Sequence, residues 1–114
     1  MAISDYFRNN FEFYGNTYGS DYYKTQETIS SLMKKDGFTL LNVDNKYHEM
    51  LLEKKRIQVI VTLSEVGMYE TGVSIKVNTS YLFPMARGLK WGKRFYETLD
   101  KTLVLKEKGN RDAK

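Results

Sequence analysis

The sequence predicts a two-layer α+β fold: a four-stranded antiparallel meander sheet with an N-terminal-side helix and a long C-terminal helix packed on one face, in the order α-β-β-β-β-α, preceded by an aromatic-rich segment. Three observations carry that reading. Apolar residues recur at every second position in Ile57, Val59, Val61 and Leu63, and again past Gly67 in Val73, Ile75 and Val77, which is the period of a strand with one buried face. The apolar runs between residues 38 and 78 are separated by only a few residues, whereas a parallel crossover needs about a dozen, so each connection is a hairpin. Stretches 22–35 and 84–106 carry apolar stripes at helical spacing.

The first 19 residues hold six aromatics, Tyr6, Phe7, Phe11, Phe13, Tyr14 and Tyr18. Ser4 and Asp5 are suited to cap a short helix through about Phe11, after which Gly15, Asn16 and Gly19 suggest a loop. So much apolar surface is costly to leave in water. The segment either folds back on the domain, the preferred reading, or is an arm that orders on a partner.

Ser20 or Asp21 caps the next helix, whose periodic residues are Tyr22, Gln26, Ile29, Leu32 and Met33. Lys34 and Lys35 suit its negative end, and Gly37 is placed to close it in the left-handed conformation.

Strands follow over 38–43, 47–53, 56–65 and 69–78. Side-chain parity sets their register. With Ile57, Val59, Val61 and Leu63 facing inward alongside Tyr69, Val73, Ile75 and Val77, a Val66-Gly67-Met68 loop pairs Leu63 with Thr71 and Val59 with Ile75. Between the second and third strands, Leu52 pairs with Ile57 and Met50 with Val59, leaving Lys54 and Lys55 in a loose tip. In the first strand Phe38 and Leu40 compete with Leu41 and Val43 for the inner face. An Asp44-Asn45 turn buries the second set; an Asp44-Asn45-Lys46 loop, preferred here, buries the first and sets His48 opposite Asn42.

Pro84 suits the first position of the long helix over 84–106. Met85, Leu89, Gly92, Tyr96, Leu99 and Leu103 form one stripe, with Gly88 and Phe95 at its shoulder. Two glycines four apart cost helix propensity, and close approach of the helix backbone to strand side chains explains them. Residues 107–114 read as a flexible polar tail. The chain thus divides into segment 1–19, a single domain over 20–106 and the tail.

Composition narrows function. A chain of 114 residues with 41% hydrophobic and 28% charged content is one globular domain. With no cysteine there are no disulfides, thiolate metal sites or thiol nucleophiles. No apolar run reaches membrane-spanning length, so no membrane insertion is expected. The first residues lack a signal-peptide pattern, and the expected address is cytoplasmic.

Catalytic constellations are hard to find. His48, the one histidine, reads as a structural residue near the sheet rim. Glu49 and Glu53 share a strand face but lie about 13 Å apart at roughly 3.3 Å per residue, too far to share a proton or metal. Glu65 and Glu70 flank a hairpin tip and read as solvated. No phosphate loop, calcium loop or nucleophile elbow is present. The expectation is a non-enzymatic protein without cofactor.

Two surfaces stand out. On the long helix Arg87, Lys90, Lys93 and Arg94 form a run of cations with no anion between them, and Arg87, Trp91 and Phe95 are successive i, i+4 neighbours. Trp91 falls outside the core stripe, either half exposed beside arginines, as at protein contacts, or packed on the aromatic N-terminal segment. On the outer sheet face, Leu41, Val43, Leu51 and Ile60 are more hydrocarbon than a solvated face carries, to be covered by the N-terminal aromatics, by a second copy in a homodimer, or by another protein. The leading expectation is a binding or adaptor protein acting through a homo-oligomer or protein partner. The alternatives are weak nucleic-acid or anionic-surface binding by the helix cations, and a small apolar ligand between helix and sheet. The layout of helix, meander and long helix resembles that of small bacterial proteins of unknown function and, loosely, of helix-grip ligand binders, and it carries no residues with it.

Overall fold

The structure, a computed structural model, describes residues 7–80 and 85–109. Its elements are β1 (Phe7–Tyr18), α1 (Tyr22–Lys35), β2 (Thr39–Asp44), β3 (Glu49–Lys54), β4 (Ile57–Gly67), β5 (Glu70–Ser80), α2 (Met85–Thr102) and β6 (Leu105–Glu107). One antiparallel sheet runs β2-β3-β4-β5-β1-β6, with α1 over the β2 to β4 side and α2 over β5 and β1. The fold is α+β with a mainly antiparallel sheet and, among the described residues, two helices, as the alternation implies, but the sheet there has six strands where four are predicted.

The largest departure is at the N-terminus. Where a short helix and loop are expected, residues 7–18 form β1, which pairs along β5 and sets Phe11 opposite Val77 and Phe13 opposite Ile75. Both phenylalanines are buried in the core. Gly15 and Asn16, the residues that suggest a loop, lie at a register shift between Phe13 and Asn16. A strand tolerates an inserted residue by bulging, so glycine and asparagine here bend β1 without ending it. Ser4, Asp5 and Pro84, the expected helix caps and start, lie outside the described residues.

The meander keeps its predicted faces but slips in register. Leu63 pairs with Val73 and Val59 with Val77, and Leu52 pairs with Val59 and Met50 with Val61, each two residues from expectation. A two-residue slip preserves parity, so Ile57, Val59, Val61, Leu63, Val73, Ile75 and Val77 remain buried. The cause is turn position: both turns lie later in the chain than expected, at 55–56 in place of 54–55 and at 68–69 in place of 66–68. Lys55 and Arg56 alone connect β3 to β4, with Lys55 at φ 44°, and the Glu70 end of β5 pairs back to Gly67, leaving Tyr69 exposed at the tip and not inside.

Neither predicted register of β2 holds. Leu40 pairs with Leu52 and Val43 with Met50, with Leu41 as an extra residue between them. The bulge lets residues of both competing sets, Leu40 and Val43, share the inner face. His48, expected inside opposite Asn42, instead lies exposed in the β2–β3 turn at φ 57°, its ring edge-on to Tyr22.

Helix α1 begins at Asp21, whose carboxylate accepts from the Lys24 amide at 2.8 Å. At its other end Gly37 has φ 95°, its amide donates to the Lys34 carbonyl and the Phe38 amide donates to that of Met33. This is the Schellman closure, and Phe38 and Met33 are both buried against the core.

Helix α2 stops at Thr102, not 106, and Leu105–Glu107 form β6 beside β1; of the polar tail expected over 107–114, residues 110–114 lie outside the described residues. A Cβ at Gly92 would stand 2.4 Å from the Phe13 ring, and one at Gly88 would stand 2.7 Å from Phe11. The glycines bring α2 down onto β1. The Tyr96 hydroxyl reaches the Phe13 and Val73 carbonyls at 3.1 and 3.2 Å, at the place where the β1 register shifts.

Candidate polyanion-binding groove

At the end of the sheet where α2 begins, the β3–β4 hairpin and α2 enclose an open groove of about 1030 Å³. Its lining is Asp36, Phe38, Lys54, Lys55, Arg56, Ile57, Arg87, Lys90, Trp91, Lys93, Arg94 and Glu97. Seven of these are cations and two are carboxylates. A cleft of one sign raises the local concentration of oppositely charged ligand.

Each wall has a local cause. The two-residue turn puts Lys55 and Arg56 at the hairpin tip, and the Ser80 amide donates to the Arg56 carbonyl at 3.0 Å, tying the tip to the end of β5. On α2, Arg87, Lys90 and Arg94 recur at helical spacing, and with Lys93 all are exposed.

The floor is aromatic and closed. Trp91 is only 9% exposed and Phe38 4%. Trp91 lies at 5.3 Å from the Phe38 ring and stacks on Phe95 at 5.5 Å and 19°. Half exposure of Trp91 is therefore not what the structure has; its ring neighbours among the described residues are Phe38 and Phe95, and Asp36 accepts its N–H. Helical angle places Trp91 off the stripe that faces the sheet; Asp36 and Phe38 at the end of α1, with Phe95 on its own helix, cover it. Phe95 is likewise buried and contacts Tyr96, continuing the aromatic chain into the core.

The Trp91 indole N–H donates to Asp36 Oδ2 at 3.2 Å, and Lys54 Nζ donates to the Asp36 carbonyl at 2.6 Å with its ammonium 4.0 Å from Asp36 Oδ1. Lys54 thereby also meets the negative end of α1. Asp36 and Lys54 engage each other. Lys55, Arg56, Arg87, Lys90 and Arg94 make no ion pair with an acidic side chain among the described residues. A smaller cleft of about 420 Å³ between α1 and α2 shares Asp36, Trp91 and Arg94 with the groove and adds Lys35 to the lining.

The six helix residues singled out from sequence are thus brought together, four on the rim and Trp91 and Phe95 beneath. Lys54, Lys55 and Arg56 were missed as partners of that cluster. The Lys-Lys-Arg run is visible in the sequence, but nothing in it shows that the hairpin tip lies across from α2.

The outer-sheet set is divided. Ile60 and Leu51 are cross-strand neighbours in a row that continues through Lys76 to Glu12, with bulged Leu41 at its edge, 52% exposed. Val43 does not belong to it, because pairing with Met50 turns it to the inner face. Farther along the same outer face, the Asn78 amide donates to Gln58 Oε1 at 3.1 Å. Space between α2 and the sheet is taken at Gly88 and Gly92 by Phe11, Phe13 and Thr79. Among the described residues no group of three or more acidic, histidine or cysteine side chains is placed to hold a metal, and no helix is long and apolar enough to cross a membrane.

Comparison with family models, with curated proteins and with solved structures finds no match.

Proposed function

We propose that this is a non-enzymatic binding protein whose working surface is the basic groove and whose partner is a polyanion. One observation carries the reading. Five cations from two separate elements surround an open groove, and none is neutralised by an acidic side chain among the described residues. Like charges gathered without partners repel one another, and an incoming anion relieves that repulsion. Of the two carboxylates in the lining, Asp36 is held by Trp91 and Lys54, which favours binding over acid-base chemistry.

The outer row of Leu41, Leu51 and Ile60 is a second contact surface for a protein partner or a homo-oligomer. It is smaller than the sequence suggests once Val43 is removed.

The test is retention on immobilised heparin. The double variant Arg56→Glu with Lys90→Glu takes one cation from each wall at exposed positions and should elute at clearly lower salt than the unaltered chain, with its circular dichroism unchanged. Elution at the same salt overturns the reading.

A further inference from the structure

We infer that the polyanion is a nucleic-acid duplex, gripped by its phosphate backbone and not by its bases; this rests on the binding reading above. The groove meets a linear array of charge. Arg87, Lys90 and Arg94 lie on one face of α2, and at about 1.5 Å rise per residue they span about 10 Å, roughly three phosphate steps of one strand. Arg56 and Lys55 face them from the hairpin and reach the same ridge from its other side.

Beyond its arginines and lysines the groove offers little that reads bases. Proteins that hold single strands stack bases on open aromatic rings. Trp91 is only 9% exposed, stacked on Phe95 and 5.3 Å from the tilted Phe38 ring, and its N–H is spent on Asp36. Apart from Trp91, no neutral hydrogen-bonding side chain lines the groove among the described residues, so base edges find neither amide nor hydroxyl. What remains is charge, and a duplex carries about one charge per 1.7 Å of axis, denser than a single strand. A groove without stacking prefers the denser array.

Fluorescence anisotropy with a labelled mixed-sequence DNA duplex, either strand alone, and phosphatidylglycerol vesicles tests this. The duplex should bind about tenfold tighter than either strand at equal salt, indifferent to sequence. Its log–log salt slope should be about −4, from about −0.9 for each of four or five phosphates. Arg56→Glu with Lys90→Glu should weaken duplex binding at least about tenfold, and Arg87→Gln with Arg94→Gln, a milder pair, should reduce the slope by about 2. Emission of Trp91, the one tryptophan, should stay essentially unquenched at saturation. A strand bound as tightly as the duplex, quenching of Trp91 by stacking, a salt-independent affinity, or capture by vesicles without duplex binding overturns the inference. If charge reversal lowers heparin retention while the duplex is not preferred, this inference fails and the broader reading stands. If it leaves heparin retention unchanged, both fail.

Discussion

The indole N–H of Trp91 donates to the carboxylate of Asp36 at 3.2 Å, so the cap residue of α1 and the middle of α2 are joined by one hydrogen bond at the floor of the basic groove. The bond has two consequences of opposite sign. It holds the helices together, and it keeps a negative charge among cations.

Two substitutions separate these effects. Asp36→Ala removes the acceptor and should lower stability by about 1 kcal/mol in urea denaturation, the size of one partly exposed hydrogen bond, with little added by the exposed Lys54 pair. Asp36→Asn retains an acceptor for Trp91 while removing the charge. It should leave stability nearly unchanged and raise polyanion affinity a few-fold, and a fall in affinity would show that the carboxylate orders the site.

At Gly92 the Phe13 ring occupies the place of a side chain. Gly92→Ala should cost about 1–3 kcal/mol in overpacking against about 1 kcal/mol gained in helix propensity, a net loss seen as a lower urea midpoint. In a Phe13→Leu background the same change should cost less, because the ring is gone. Equal costs in both backgrounds would mean that the two sites do not touch.

Tyr96 joins α2 to both β1 and β5 through one hydroxyl at the register shift. Tyr96→Phe should cost about 1–3 kcal/mol, since the single hydroxyl proton that the two buried carbonyls share is lost. Amide hydrogen exchange should speed up first around Asn16 and Val73. A uniform change across the sheet would argue against a local role.

The Tyr22 phenol is pushed above its ordinary pKa, first by burial and then by the nearby Tyr23, Glu65 and Asp44. A raised pKa means the folded state favours the neutral phenol. Its contribution is therefore intact below about pH 10 and is lost as pH climbs through the folded value. Tyr22→Phe should flatten the alkaline loss of stability. At neutral pH it should be neutral or stabilising, because the hydroxyl is buried with no hydrogen-bond partner. Destabilisation at neutral pH by more than about 1 kcal/mol would contradict this.

Much of the fold is legible in local pattern. The faces of β4 and β5 follow from alternation at Ile57 to Leu63 and Val73 to Val77, and survive a slip of two residues because parity is unchanged. Asp21 and Gly37 mark the ends of α1 by their own chemistry. The N-terminal strand is not legible in the same way. Its aromatics at 7, 11, 14 and 18 fit helical spacing as well as Phe11 and Phe13 fit a strand, and only an open edge on β5 selects the second.

For the groove the division is similar. The cation run on α2 and the tryptophan within it are local facts, readable from spacing. That Trp91 is closed and not open depends on α1 lying beside α2, and that Lys54, Lys55 and Arg56 face Arg87 and Lys90 depends on where the β3–β4 turn ends. Periodicity tells a residue which way to face within its own element, because that is set by backbone geometry over a few residues. Which element stands opposite is set by packing between segments distant in the chain, and here that packing turns one charged helix face into a two-walled groove.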